Sequence, residues 1–327
     1  MRIKAPNVMI LLLFLLLLAS AAAIMIGSVS VPVSEIFSED FRAILMLRLS
    51  RIILAGIAGA SLAVVGAILQ GLLKNPLADP YVLGISSGAG LGAVVAIASG
   101  VSLLAGGSYS LPFFAFLGGI LATLFVYFIS KKAARVGTED LLLSGVIVAA
   151  MLSGLIMFVV STMETEGMHS SLWWLLGNTQ IFDMKLLTIV SVVSIFGIAI
   201  SILLARNLNI MSLGEEEAIA MGLNVERIKI IFFAISSLIT AAVVSVCGLI
   251  GFVGLIIPHV TRRLVGPDHR SLIPASALCG ATFLILCDIL ARKLMSPMGI
   301  PIGVITAIVG GPFFIILLKK ARRPQFR

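Results

Sequence analysis

Apolar runs recur along the chain, each closed by a short polar stretch. Ten can be marked, at roughly 7–27, 50–73, 81–100, 111–131, 139–161, 184–206, 229–248, 250–265, 271–292 and 300–319. At about 1.5 Å per helical residue, some twenty residues cross a hydrocarbon core about 30 Å thick. The pattern therefore predicts an all-α, polytopic membrane protein with about ten transmembrane helices. The eighth run is short, and "CGLIGFVGLIIPH" within 247–259 is interrupted by glycine and proline, which predicts a broken or re-entrant segment there.

The polar interruptions are mostly brief. Two are longer: "SVSVPVSEIFSEDFRAILM" (28–46) and "NLNIMSLGEEEAIAMGLNVERIK" (207–229). A third, "LLKNPLADPYVLGISSGAG" (72–90), packs turn formers between two apolar runs. Pro76 and Pro80 forbid a continuous helix, while Asn75 and Asp79 favour local turns. The segment "LVGPDHRSLIPASALCGA" (264–281) is a faint echo of it at the corresponding kind of junction, as duplicated transporter halves would show. No separate soluble domain is evident, so 1–327 is expected to form one transmembrane domain.

Composition agrees. The 327 residues are 60% hydrophobic and 12% charged, with mean hydropathy +1.17, far from the quarter charged of a soluble domain. The net charge of +8 does not point to nucleic acid, because the cations sit at the ends of apolar runs. With the N-terminus inside and ten spans, all but six of the 23 basic residues fall on the cytoplasmic side, as the positive-inside rule requires. The six are Arg42, Arg48, Arg51, Lys185, Arg292 and Lys293. Both termini are then cytoplasmic. The opening run resembles a secretory signal, but its length predicts an uncleaved first helix. Cys247, Cys279 and Cys287 lie in apolar runs without metal-ligand spacing and are expected to pack as small apolar groups.

Catalytic and energy-coupling chemistry is missing from the sequence. No G-x-x-x-x-G-K-[ST], G-x-S-x-G or H-E-x-x-H motif occurs, and the three histidines are far apart in the expected topology. No enzyme is expected. Ionisable residues are rare inside the spans, which weighs against an ion-coupled carrier. Asp288 is the nearest candidate, and its spacing from Arg292 predicts a local helical ion pair near the outer surface. A transporter without its own engine has to receive energy from another chain. The 207–229 loop is the evident receiver: Glu215, Glu216 and Glu217 favour a helix start after Gly214, Ala218 follows, and Gly222 supplies a stop. Such a helix either docks in a partner's groove or is merely solvated.

Six ordered blocks carry a resemblance that covers nearly the whole chain: "RLSRIILAGIAGASLAVVGAILQGLLKNPLADPYVLGISSGAGLG" (48–92), "TEDLLLSGV" (138–146), "SLGEEEAIAMGLNV" (212–225), "GLIGFVGLIIPHVTRRLVGPDHR" (248–270), "CDILAR" (287–292) and "PIGVITAIVGGPFFIILL" (301–318). The chain resembles the iron-chelate (siderophore or haem) and vitamin B12 permeases of type II ABC importers. The resemblance implies a permease in a bacterial or archaeal plasma membrane, with a second permease subunit, two cytoplasmic ATPase subunits and an external binding protein. It implies no cofactor on this chain, since ATP and Mg belong to the ATPase subunits. By position, Asn75, Leu77, Thr138 and Glu139 would line the cytoplasmic gate. Thr138 and Glu139 also fit an N-cap and first turn. The block from Gly214 to Gly222 would be the coupling helix. Arg48, Arg51 and Arg292 would face acidic residues of the binding protein; snorkelling at the interface is the alternative for these cations. Ser50 stands where the family motif usually has proline. Glycine and small residues in the second, third and ninth spans predict close helix packing.

Overall fold

The computed structural model describes residues 5–27, 39–101, 109–132, 135–296 and 299–321. Helices dominate: α1 (Ala5–Met25), α2 (Glu39–Leu72), α3 (Ile85–Ala98), α4 (Ser110–Ser130), α5 (Thr138–Ser161), α6 (Thr165–Leu175), α7 (Met184–Leu203), α8 (Ala205–Leu213), α9 (Glu215–Ala220), α10 (Val225–Cys247), α11 (Val253–Val265), α12 (His269–Lys293) and α13 (Ile302–Ala321). A minimal antiparallel pair, Lys131–Lys132 with Arg135–Val136, links α4 to α5.

Each of the ten expected spans has a helix. Seven are long and apolar enough to cross a membrane: α1, α2, α4, α5, α7, α10 and α12. The other three are short. α3 has 14 residues and α11 only 13, about 20 Å of rise against a core of about 30 Å. α13 is apolar over Ile302–Ile316. Two boundaries differ from the expectation. Helix α2 begins at Glu39 rather than near 50, so the expected 28–46 loop is helical over its last eight residues; residues 28–38 lie outside the described set. The expected outer loop between the fifth and sixth spans contains a helix, α6, of 11 residues, too short for a span, which packs against α3 and α5.

The centre of the bundle is α2. It is fully buried at Leu54, Ala58, Val64, Ile68 and Leu69 and packs on α12, α11 and α10. Close approach is set by glycine. A methyl on Gly59 would lie 2.7 Å from the carbonyl carbon of Gly280 on α12, and one on Gly66 would lie 2.6 Å from the Cα of Gly254 on α11. The expected close packing of these small-residue segments is thus present, and only bare Cα atoms permit it. The outward faces are apolar instead: Phe14 on α1, Phe158 on α5 and Phe196 on α7 are each more than 60% exposed. That inverts a soluble protein's surface, as lipid contact requires. Helix α1 packs chiefly along α12.

Two irregular segments meet inside this bundle. After α2, the chain turns at Lys74 (φ 47°) and passes through a 3₁₀ turn, Pro80–Leu83, before Gly84 (φ 74°) releases α3. The third span is therefore helical only from Ile85. The other break, 248–252, separates α10 from α11 and includes Phe252 at φ 70°. The backbone N–H of Ile250 donates to the hydroxyl of Tyr81, and Pro80 Cδ lies 2.5 Å from where a side chain on Gly254 would start. Each break lends the other its partner, which is how irregular backbone survives inside a membrane protein. The broken segment expected at 247–259 is found at this place.

Candidate functional site

Inner and outer ends are named here by the expected orientation. At the inner end, Asn75 is half-buried and holds its own turn. Its Oδ1 accepts the Leu77 N–H at 2.9 Å, and its carbonyl accepts the Ala78 N–H at 3.0 Å. Asp79 repeats the motif, accepting from Tyr81 N–H at 2.9 Å. These Asx turns stiffen the corner between the two prolines. Leu77 projects from it, 46% exposed. The corner also packs against α5, where Gly145 is pressed onto the carbonyl of Val82.

Helix α5 starts at Thr138 with Gly137 as its N-cap, so Thr138 is the first helical residue and not the cap. The reason is local: the Asp140 carboxylate folds back to Gly137, where a methyl would meet Oδ2 at 2.7 Å. Glu139 is exposed in that first turn. Leu141, one turn further, is buried in one core cluster with Leu72, Leu73 and Ala78. The structure therefore brings the 75–77 corner and the 138–139 helix start to the same end of the bundle.

Helix α9 stands where the sequence placed a short helix. Gly214 is its N-cap, and the three glutamates fill its first turn. Glu217 curls back over Gly214, its carboxyl carbon 2.6 Å from where a Cβ would sit. The other end closes in a Schellman motif: Leu223 N–H donates to the Ala218 carbonyl at 3.0 Å and Gly222 N–H to that of Ile219 at 2.9 Å, with Gly222 at φ 81°. Ala218 is fully buried and roots the helix in the core, while Leu213, Ile219 and Met221 are each about 60% exposed or more. Glu215 is tied down by Lys229 of α10 at 2.9 Å, and Lys229 also meets Glu226 at 3.6 Å. Glu216 and Glu217 face outward. The result is a rigid, two-turn apolar knob with an acidic rim.

Sequence reasoning missed the polar network beside that knob. Asn209 of α8 donates to Asp268 at 2.7 Å, accepts the His269 N–H at 2.9 Å and faces His269 Nδ1 at 2.8 Å. Gln70 of α2 donates to the Gly254 and Leu255 carbonyls at 3.3 and 3.2 Å and accepts from Arg262 at 3.1 Å. Gln70, Asn209, Arg262, Asp268 and His269 line an open cleft of about 560 Å³ together with Lys74 and Pro76. The Arg270 guanidinium, then Asn209, hold the Asp268 carboxyl at about 2. The signal available in the sequence was only that Asp268 stands before a helix; its partner Asn209 is 59 residues away.

At the outer end, three of the six cations that break the positive-inside bias converge. Asp288, 1% exposed, accepts from Arg51 Nε at 2.7 Å, from Arg292 Nε at 2.9 Å and from the Thr179 hydroxyl. The expected Asp288–Arg292 pair is present at this end, and it is buried within the protein. Arg292 also donates both Nη groups to the Ala23 carbonyl at 3.3 Å. Arg48 donates to the carbonyls of Ile24 and Met25. Arg48 and Arg292 are both under 10% exposed, while the Arg51 side chain is 20% exposed. Two of the three arginines therefore cap the C-terminal end of α1, where cations complement the helix dipole and its unpaired carbonyls.

Residues 12–320 match the model of the FecCD transport family. The chain belongs to that family. The permease is 42% identical to a cobalamin import permease of Halobacterium salinarum, over 84% of this chain and 72% of that protein. It is 35% identical to a hemin transport permease of Yersinia pestis, over 86% and 84%. Its fold superposes on a solved metal-chelate-type ABC transporter in an inward-facing conformation with TM-score 0.86 and 33% identity, covering 97% of this chain and all of that one. The permease is thus a membrane-spanning transport protein of a family that is not enzymatic.

Proposed function

We propose that this chain is the membrane-spanning half of an ATP-driven importer that moves a ferric siderophore or a related metal chelate inward. Two copies form the path between them. Two ATPase subunits dock on the inner end, and an external binding protein delivers the cargo to the outer end. Both termini face the cytoplasm. Asn75, Leu77, Thr138 and Glu139 line the inner gate, the stiff corner at 75–77 forming one lip of it.

The observation that carries this reading is the α9 knob. It is capped at both ends, rooted by Ala218 and braced by Lys229, yet its outward face is apolar. An exposed apolar face rimmed by polar residues marks an interaction surface, and a short helix bearing one is suited to lie in a partner's groove. Rigid bracing means that force applied at α9 is passed to α10 rather than absorbed. The relatives include permeases for cobalamin and hemin, so haem and cobalamin are the alternative cargoes.

The test is reconstitution in proteoliposomes with the genomically adjacent ATPase and binding protein. Ferric siderophores, haem and cobalamin are offered in turn. ATP-dependent uptake of one of them, lost when residues 215–222 are scrambled, is the expected result. Uptake driven by an ion gradient without the ATPase would overturn the reading in favour of a secondary transporter.

A further inference from the structure

The cleft at the inner end holds more positive charge than its own carboxylate takes up. Asp268 is the one acidic residue among its described lining residues, and it is already satisfied. Arg270 reaches it through Nε at 3.3 Å and Nη2 at 3.1 Å, and Asn209 donates to it at 2.7 Å. Arg262 and Lys74 line the same cleft, and neither forms an ion pair with a carboxylate among the described residues. Arg262 is half-buried, and its orientation is fixed. Gln70, 4% exposed, gives its amide nitrogen to the Gly254 and Leu255 carbonyls, so its Oε1 has to face Arg262 Nη1, at 3.1 Å. That bond uses one of the five guanidinium N–H groups. The others bond no further protein group among the described residues. Lys74 is exposed at the rim, on backbone at φ 47°, a conformation that residues other than glycine seldom hold.

We propose that this cleft is a binding site for a phosphate group, with Arg262 as its fixed donor, Gln70 as the residue that positions Arg262, and Lys74 as the charge at its mouth. A half-buried guanidinium without a counter-charge is costly, and an oxyanion entering the cleft removes that cost. Phosphate suits the two donors. The planar guanidinium takes two of its oxygens side by side, and the ammonium, a point charge with three donors, takes a third from another direction. At about 560 Å³ the cleft falls within the range of about 300–1,000 Å³ typical of small-molecule sites. It opens between the end of α2, α8 and the α11–α12 turn, at the inner end of the bundle. Basic recesses between membrane helices on that side hold the head groups of anionic lipids. Free phosphate offers the same chemistry. The site needs neither an ATPase nor a cargo, so it stands whether or not the importer reading does.

The experiment follows the melting temperature of the full-length permease in detergent, at constant ionic strength, as each of three probes is added: short-chain phosphatidylglycerol, short-chain phosphatidylcholine and inorganic phosphate. A ligand that binds the folded state raises the melting temperature in a saturable way. Phosphatidylglycerol is expected to do so, and phosphatidylcholine far less. Arg262→Gln is expected to weaken the apparent affinity about ten-fold, and Lys74→Gln about three-fold. Lys74 is exposed, so its variant decides the matter if Arg262→Gln does not fold. Arg263→Gln removes the same charge from the exposed side of α11, outside the cleft, and is expected to leave the affinity near native. A response to phosphatidylglycerol alone assigns the site to a lipid head group, and one that includes inorganic phosphate assigns it to the free anion as well; either supports the site. No saturable response to phosphatidylglycerol or phosphate, equal weakening by Arg263→Gln, or native affinity in both Arg262→Gln and Lys74→Gln would overturn it.

Discussion

Gly66 offers the sharpest test of how this bundle is built. It faces Gly254 across the α2–α11 contact, and a methyl there would lie 2.6 Å from the Gly254 Cα and from its carbonyl carbon. Carbon atoms rest at about 3.5–4.0 Å, so Gly66→Ala has to part the helices by about 1 Å. Both opposing atoms are main chain and no rotamer change relieves them. One turn along, Gln70 donates to the Gly254 and Leu255 carbonyls at 3.3 and 3.2 Å, bonds already too long to survive that separation. Overpacking of about 1–3 kcal/mol and two lost hydrogen bonds of about 1 kcal/mol each outweigh the gain of about 1 kcal/mol from alanine's helix propensity, leaving a net loss of about 2–4 kcal/mol. Gly154→Ala is the matched control. Gly154 lies mid-helix in α5 with nothing within 4 Å, so only the propensity gain applies, up to about 1 kcal/mol. Chaotrope unfolding of the two variants in one detergent reads the difference. Equal stability of Gly66→Ala and the native chain, or equal damage from both variants, would refute the close-packing argument.

Further outcomes follow from the inner end. Lys229→Met removes the brace between α10 and α9. Because Glu215 and Glu226 are partly exposed and regain water, the stability loss is expected to stay under about 1 kcal/mol, while ATP-driven uptake falls severalfold; uptake unchanged would show that α9 needs no brace. Gly222→Val places a β-branched residue at φ 81°, costing about 1–2 kcal/mol locally, and is expected to lower ATPase co-purification, whereas Gly222→Asn retains it. For pH, the Asp268 carboxyl lies at about 2 in the fold against an ordinary 3.8. Its contribution is therefore present above about pH 4 and lost as pH falls toward 2, and partial exposure keeps it below about 1 kcal/mol. Unfolding profiles between pH 5 and pH 2 should show this slope, and Asp268→Asn should lack it.

The membrane class, the ten apolar segments and the short inner helix were legible in the sequence because each rests on local pattern. Span length, the acidic first turn at Glu215–Glu217 and the stop at Gly222 need no distant residue to be recognised. The broken segment around 247–259 was legible for the same reason, since glycine and proline disrupt a helix wherever it packs. Thr138 shows the limit: its cap role looked plausible from residue type, yet Asp140 folding back to Gly137 moves the helix start by one residue.

What only the tertiary structure decided are the pairings across long separations. The Tyr81 hydroxyl meets Ile250 across 169 residues, and Arg51 meets Asp288 across 237. No periodicity encodes such contacts, because they depend on how helices cross. The three outer arginines were identical as exceptions to a charge bias. Packing separated them, burying Arg48 and Arg292 against the end of α1 and leaving Arg51 paired with Asp288 but partly exposed. Charge placement is written in the sequence; which charge is already neutralised is decided by the neighbours that folding supplies.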